Sequence, residues 1–343
     1  MTTISIGLIG LGRFAALHGR IWRQLPHVRV AAICDRDPQR FEAFKEWFPE
    51  ANSYTDWQEM LSREKLDAVD VLTPEHLHAE PVLASLQAGA HVFVEKPLAH
   101  TPEEAMRLVH AAASYDRHLM VGHVLRFDAR YAAVKSELEE GRYGPIRSIY
   151  AKRNNGKRFF PIYNRIHPVF ILGIHDIDLM HWYMEDRVRE VMAIGTNGTE
   201  DTGAPTDLSW AMLTFRHGGI GILENHWLLP DGAPSFADIR MEIAASHGSL
   251  VIQEPDYGVL RTDNAKTEGL SLHNGFDLHG QTRGPLAAEL EHFIECVKTG
   301  TPSNLLRPLD ALHAVQVAWA IQESAKLGKS VRLEPLEGPV PGP

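Results

Sequence analysis

The chain has 343 residues, 44% of them hydrophobic and 23% charged, a composition that fits a globular protein with two domains. Its formal charge of −10 excludes a general nucleic-acid binder, because the densest basic stretch, "KRNNGKR" (Lys152 to Arg158), is short and interrupted and reads as a solvated loop or substrate rim. Two cysteines in unrelated contexts, Cys34 and Cys296, an apolar start without a basic leader, and no membrane-length apolar run together predict a cytoplasmic protein without disulfides.

The first third alternates strand and helix patterns. "ISIGLIG" (Ile4 to Gly10) is an apolar strand closed by glycine, and "RFAALHGRIWRQL" (Arg13 to Leu25) has helical spacing. The strand "VRVAAIC" (Val28 to Cys34) precedes a helix opened by Pro38. "LDAVDVL" (Leu66 to Leu72), the helix "AEPVLASLQAG", "HVFVE" (His91 to Glu95), a helix capped by Thr101 and "HLMVGH" (His118 to His123) continue the alternation. Near-continuous apolar strands separated by helices predict an α/β fold with an N-terminal doubly wound parallel (Rossmann) sheet.

Beyond residue 124 the pattern changes. A helix at Ala129 to Gly141 and an apolar helix at Pro168 to Met184 precede five strand patterns in succession, "VREVMAIGT" to "SLVIQE", and two closing helices. Consecutive strands predict a C-terminal α/β domain with an open, mostly antiparallel sheet. The expected division is 1–123 for cofactor binding and 124–343 for substrate binding and oligomerisation.

Gly10-Leu11-Gly12-Arg13-Phe14-Ala15 matches G-x-G-x-x-G/A directly after a strand. Gly10 allows the tight turn, Gly12 lets the backbone approach a pyrophosphate, and the following helix offers free N–H groups to the anion. Asp35 ends the second strand, where a carboxylate accepts hydrogen bonds from a ribose and repels a 2′-phosphate. NAD is therefore favoured over NADP, with Arg36 beside Asp35 the feature that would tolerate the latter. The carboxyl ends of parallel strands face the cofactor, which adds Thr73, Pro74, His76, Glu95 and Lys96 to the expected cofactor contacts. Lys96 at such an end would lie near the nicotinamide, its turn fixed by Pro97.

The stretches "GLIGLGRFAALH", "TPEHLHAEPVLASLQAGAHVFVEKPLA" and "GIHDIDLMHW" resemble the glucose–fructose oxidoreductase / inositol dehydrogenase (Gfo/Idh/MocA) family, and the resemblance continues through the closing helices. It implies transfer of hydride between a nicotinamide cofactor and a secondary alcohol of a sugar, cyclitol or derivative. It also implies a homodimer or homotetramer built through the C-terminal sheet. By position it makes Lys96 the catalytic lysine and His175 its histidine partner. A histidine has a pKa suited to taking the hydroxyl proton, and Lys96 would stabilise developing alkoxide charge.

One position departs from the family pattern: Ile171 stands where an aspartate is usual, four residues before His175. Tyr163, Arg165 and His167 are substitute polar groups, and His167 is expected to line the substrate site. Asp178 is one turn after His175 and is placed to orient it, whereas Asp176 is either exposed or paired with an arginine. Arg126 shapes the pocket or bridges the domains. No His, Cys or carboxylate cluster has zinc spacing, so no metal is expected. A non-catalytic dinucleotide-binding sensor is the competing function, favoured by Ile171 and opposed by Lys96, His175 and Asp178.

Overall fold

A computed structural model describes residues 3–198, 205–254, 260–262, 267–269 and 275–335. The chain forms two compact units, Met1–Phe127 with His273–Leu312, and Asp128–Leu272 with His313–Leu336. In the first unit the chain runs β1 (Ile4–Ile9), α1 (Ala15–Trp22), β2 (Val28–Cys34), α2 (Phe41–Lys45), β3 (Asn52–Tyr54), α3 (Trp57–Arg63) and β4 (Ala68–Val71). It continues through α4 (Ala79–Gln87), β5 (His91–Glu95), α5 (Pro102–Tyr115) and β6 (Leu119–Gly122). The six strands form one sheet in the order β3-β2-β1-β4-β5-β6. Every pair in it is parallel. The order reverses between β1 and β4, so the carboxyl ends of these two strands open the crevice in which such sheets bind dinucleotides.

The second unit begins with α6 (Ala129–Glu139), β7 (Ile146–Asn155) and α7 (Phe160–Tyr163), then α8 (Ile174–Met184), β8 (Val188–Thr196), β9 (Leu208–Phe215), β10 (Ile220–His226), β11 (Ala237–Ala245) and β12 (Gly248–Glu254). Two short hairpins follow in the chain, β13 (Leu260–Thr262) with β14 (Thr267–Gly269) in this unit, and β15 (Phe276–Leu278) with β16 (Gln281–Arg283) in the first. The chain then forms α9 (Pro285–Thr299), α10 (Pro308–Leu327) and β17 (Val331–Arg332). Seven strands make the second sheet, ordered β12-β11-β7-β10-β9-β8-β17. It is antiparallel except where β10 runs parallel to β7. The expected fold class is the observed one.

Burial explains both sheets. In β1, β2, β4, β5 and β6 nearly every side chain is buried, as a sheet covered on both faces requires. In β8 to β11 buried and accessible residues alternate, so one face is covered and the other is open. The core of the first unit joins Leu8, Ile33 and Phe93 of its sheet to Trp22 of α1 and to Leu290 and Phe293 of α9. Each such side chain contributes about 1.5–3 kcal/mol when fully buried. Through α9 the segment from 273 to 312 belongs to the first unit, although the sequence reading takes 124–343 as one continuous domain.

Two local expectations need correction. The segment expected to be a continuous helix from Pro168 starts as a π-helical turn over Val169–Gly173 and becomes α-helical at Ile174. Gly173 shows why the backbone is constrained there: a Cβ on it would lie 2.3 Å from the Asn225 carboxamide oxygen of β10. Turns of this kind are rare and frequent at functional sites. The "KRNNGKR" stretch is also not all solvated loop. Its first four residues end β7, and Arg153 is buried. Lys157 and Arg158 remain exposed.

Candidate active site

The phosphate loop leaves β1 at Gly10, whose φ of +92° is open to glycine at little cost. A side chain there would also meet the backbone of Leu72 and Thr73 at 2.8 Å. Gly12 is different, because a Cβ on it would find no atom closer than the Arg40 guanidinium at 3.9 Å. That space lets an anion approach the backbone. Phe14 precedes α1 without a side-chain cap, so the first N–H groups of the helix are not satisfied by a capping side chain.

Asp35 follows β2 and is fixed on several sides. One carboxylate oxygen accepts from the Leu11 N–H at 2.7 Å and from Arg40 at 3.3 Å, and the other accepts from the Asp37 N–H at 2.9 Å. The carboxylate thus ties the phosphate loop to the end of β2, where it can also accept from a ribose hydroxyl. Arg36 is exposed, and Arg40 is the arginine that pairs with Asp35. The sequence reading missed Arg40. Together the glycine geometry, the uncapped helix end and the Asp35 carboxylate fit NAD.

At the end of β4, Thr73 donates its hydroxyl to the Leu77 carbonyl, and Pro74 leads into a short 3-10 turn, Glu75–Leu77. His76 is half exposed, with Glu75 beneath it at 3.9 Å. His78 is buried instead, and its ring nitrogens lie 2.8 Å from the Pro97 and Thr73 carbonyl oxygens. Burial pushes its pKa down. Its ring lies between the turn after Lys96 and the end of β4, with one N–H to donate to either carbonyl while it is neutral.

Glu95 ends β5 and Lys96 follows it, and both are partly accessible. The Lys96–Pro97 peptide is cis. The Lys96 N–H donates to Glu95 Oε2 at 3.2 Å, while Glu95 Oε1 lies 3.2 Å from His18 Nε2. His18 Nδ1 lies 2.9 Å from Asp70 Oδ2, which also accepts from the Trp22 indole at 2.7 Å. His18 is fully buried. Burial alone would lower its pKa, but Asp70 and Glu95 outweigh that and raise it to about 10. The sequence reading overlooked His18. The signal for it was Asp70, a carboxylate inside an otherwise apolar central strand, which requires buried partners.

In the second unit, the residues from 166 to 181 are buried with two exceptions, Ile171 and His175. The histidine and the residue standing in the usual aspartate position are therefore the accessible ones. Asp176, next to His175, is buried and receives two hydrogen bonds from Arg153, at 3.0 and 2.9 Å. Tyr131 also accepts from Arg153, at 3.3 Å, and donates to Glu254 at 3.3 Å. Asp178 is buried as well.

The remaining expected substrate residues divide by exposure. Tyr163 stacks on Trp227 with centroids 5.3 Å apart, and the exposed Arg165 lies over the Tyr163 ring at 5.8 Å. His167 is buried, accepts from the Val169 N–H at 3.3 Å, and turns Nε2 toward Gly195 of β8. That environment drives its pKa down to about 4, and it suits a core side chain better than a substrate contact. Arg126 is buried too, donating to the Leu305 carbonyl at 2.7 Å and pairing with Asp310 at 3.5 Å. Among the described residues no group of three or more His, Cys, Asp or Glu side chains is arranged to hold a metal ion.

Comparison with known proteins gives the family. The model of an oxidoreductase family with an NAD-binding Rossmann fold matches residues 4–123, and the GFO/IDH/MocA C-terminal domain matches residues 131–251. The chain is 29% identical to myo-inositol 2-dehydrogenase of Thermotoga maritima, over 97% of this chain and 99% of the relative. It is 26% identical to D-apiose dehydrogenase of Paraburkholderia graminis, over 97% of this chain and 91% of that protein. The crystal structure of scyllo-inositol dehydrogenase from Lactobacillus casei with bound NAD(H) and scyllo-inositol shares the fold, with a TM-score of 0.83 at 21% identity over 96% of this chain and 99% of that one. The phosphate loop, the Glu95-Lys96-Pro97 strand end and both domain matches lead to one conclusion: the chain belongs to the GFO/IDH/MocA oxidoreductase family and carries its NAD-binding Rossmann domain.

Proposed function

We propose that this protein transfers hydride between NAD and a secondary alcohol of a sugar or cyclitol, with Lys96 and His175 as its catalytic residues. The observation that carries this reading is the placement of Lys96 at the carboxyl end of β5, its backbone held by Glu95 and its turn beside the His78 ring. NAD supplies the hydride acceptor. For the oxidation, His175 takes the hydroxyl proton and Lys96 hydrogen-bonds the same oxygen as negative charge develops on it. Tyr163 and Arg165 supply substrate contacts beyond the reacting carbon.

Ile171 is the residue that favours a non-catalytic dinucleotide sensor. A complete phosphate loop, Lys96 and an accessible His175 favour turnover, and the relatives described above are named as dehydrogenases. A panel of cyclitols and sugars, followed by the absorbance of reduced nicotinamide, tests the choice. Turnover of at least one is expected, and NAD binding without turnover across the panel would favour the sensor.

We further propose a homodimer or homotetramer built through the open face of the second sheet. Ile194, Trp210, Met212, Ile220 and Val251 are exposed large apolar side chains of that sheet, and Trp210 stacks on Tyr150. The register puts them on one face, since Ile194 pairs with Trp210 and Trp210 with Glu224, while Met212 pairs with Ile222 and Ile222 with Tyr150. Charged Arg240 and Glu242 of β11 separate Val251 from the rest, so the apolar part of the face is the patch on β8, β9 and β10, which marks an interaction surface for which a second copy offers a matching one. Both cysteines are free, which suits a reducing cytoplasm.

A further inference from the structure

The buried charges around His18 do more than fill the core of the first unit. Both ring nitrogens of His18 face carboxylate oxygens, Asp70 Oδ2 at 2.9 Å and Glu95 Oε1 at 3.2 Å. A neutral imidazole has one N–H, so it would turn a lone pair toward one of the two anions; the imidazolium donates to both. Asp70 is fixed in turn by the Trp22 indole, one helical turn after His18 on α1. On the far side, Glu95 lies flat against Gly122 of β6, where an added Cβ would come within 2.9 Å of its Oε1. The second oxygen of Glu95 takes the backbone N–H of Lys96.

We infer that His18 and Asp70 are positioning residues for Lys96. Asp70 locks the His18 imidazolium, which orients the Glu95 carboxylate, and that carboxylate fixes the backbone of Lys96 at the end of β5. His18 sits on α1, the helix that follows the phosphate loop, so the same chain of contacts links the cofactor helix to the strand bearing Lys96. Charged groups act on His18 from β4 through Asp70 and from β5 through Glu95, and α9, which also packs on α1, carries the buried carboxyl Glu289. Phe14 and Phe93 complete its apolar surroundings, with ring centroids 5.3 and 5.7 Å away. The inference rests on the catalytic role proposed for Lys96, so its test includes readouts that need no turnover.

Replacing Asp70 with Asn removes the charge that locks the imidazolium and leaves His18 free to lose its proton near neutrality. In Asp70→Asn, kcat is expected to fall about tenfold or more, within the roughly 10²-fold that a 1 Å misplacement of a catalytic group can cost, while the Kd for NAD stays within a factor of about two. The kcat/KM profile should also gain an ionisation, assigned to His18, that the wild type lacks below about pH 9. A folded Asp70→Asn enzyme with the wild-type kcat and pH profile would overturn the proposal, since a merely structural pair leaves the profile in place. Nitrogen NMR of 15N-histidine-labelled wild type needs no variant: two ring N–H groups on His18 at about pH 8 are expected, and a neutral tautomer would overturn it. Amine acylation of Lys96, read by mass spectrometry, separates the two claims. A changed acylation rate in Asp70→Asn supports positioning even if no substrate turns over, and an unchanged rate counts against positioning even if the enzyme is active.

Discussion

Arg153 of β7 holds Asp176 of α8 through two hydrogen bonds, at 3.0 and 2.9 Å, with both side chains almost completely removed from solvent. The pair fixes α8 against the sheet one residue after His175. Removing one partner of such a pair leaves an uncompensated buried charge, which costs about 3–5 kcal/mol. Asp176→Ala is therefore expected to lower the thermal midpoint of the protein by several degrees, measured by circular dichroism. An unchanged midpoint would show that Arg153 finds another partner and that the pair does not anchor the helix.

Asp35 ties the phosphate loop to β2 through the Leu11 N–H. A hydrogen bond to a charged group contributes about 1.5–3 kcal/mol, so Asp35→Ser should raise the KM for NAD by roughly 10- to 100-fold. The same change removes the charge that repels a 2′-phosphate, so the ratio of NADP to NAD activity should rise. Steady-state kinetics with both cofactors checks this, and an unaltered ratio would remove Asp35 from cofactor selection.

Ile171 and His175 share the accessible part of an otherwise buried segment. A carboxylate introduced as Ile171→Asp favours the protonated imidazole of His175 and should move the acid limb of the kcat/KM profile up by about one pH unit. The sign follows from the attraction: a raised pKa means that the base becomes available at higher pH. An acid limb that stays in place would argue that His175 is not the base.

Much of this was legible in the chain. Alternating strands and helices and the glycine spacing at Gly10 and Gly12 located the NAD-binding domain, and Asp35 and the Glu95-Lys96-Pro97 stretch lie at carboxyl ends of its strands, as expected. Three features were not legible for physical reasons. The first unit recruits α9 from far along the chain, and no local pattern announces where a helix will pack. The π-helical turn at Val169–Gly173 ends at Gly173, which packs closely against Asn225 of β10, a tertiary contact that local spacing does not announce. His167 reads as a polar group beside a catalytic helix, yet its ring is turned into the sheet at Gly195, and backbone direction decides that. His18 and Asp70 were readable in principle as charged residues in apolar elements, but their pairing spans 52 residues.

The open sheet face gives a prediction independent of catalysis. Trp210 is exposed in the single chain and stacks on Tyr150 at its accessible edge. Trp210→Lys places a charge in the middle of the apolar face, and sedimentation velocity should show a shift from a dimer or tetramer toward monomer. A wild-type protein that sediments as a monomer would contradict the proposed assembly.

The most direct measurement is the rate of nicotinamide reduction by wild type and Lys96→Ala on a cyclitol or sugar that the wild type oxidises. Removing the group proposed to stabilise alkoxide charge at the reacting oxygen should lower kcat by about 10²–10³-fold with NAD binding intact. A Lys96→Ala enzyme that binds NAD and turns over at the wild-type rate would contradict the account.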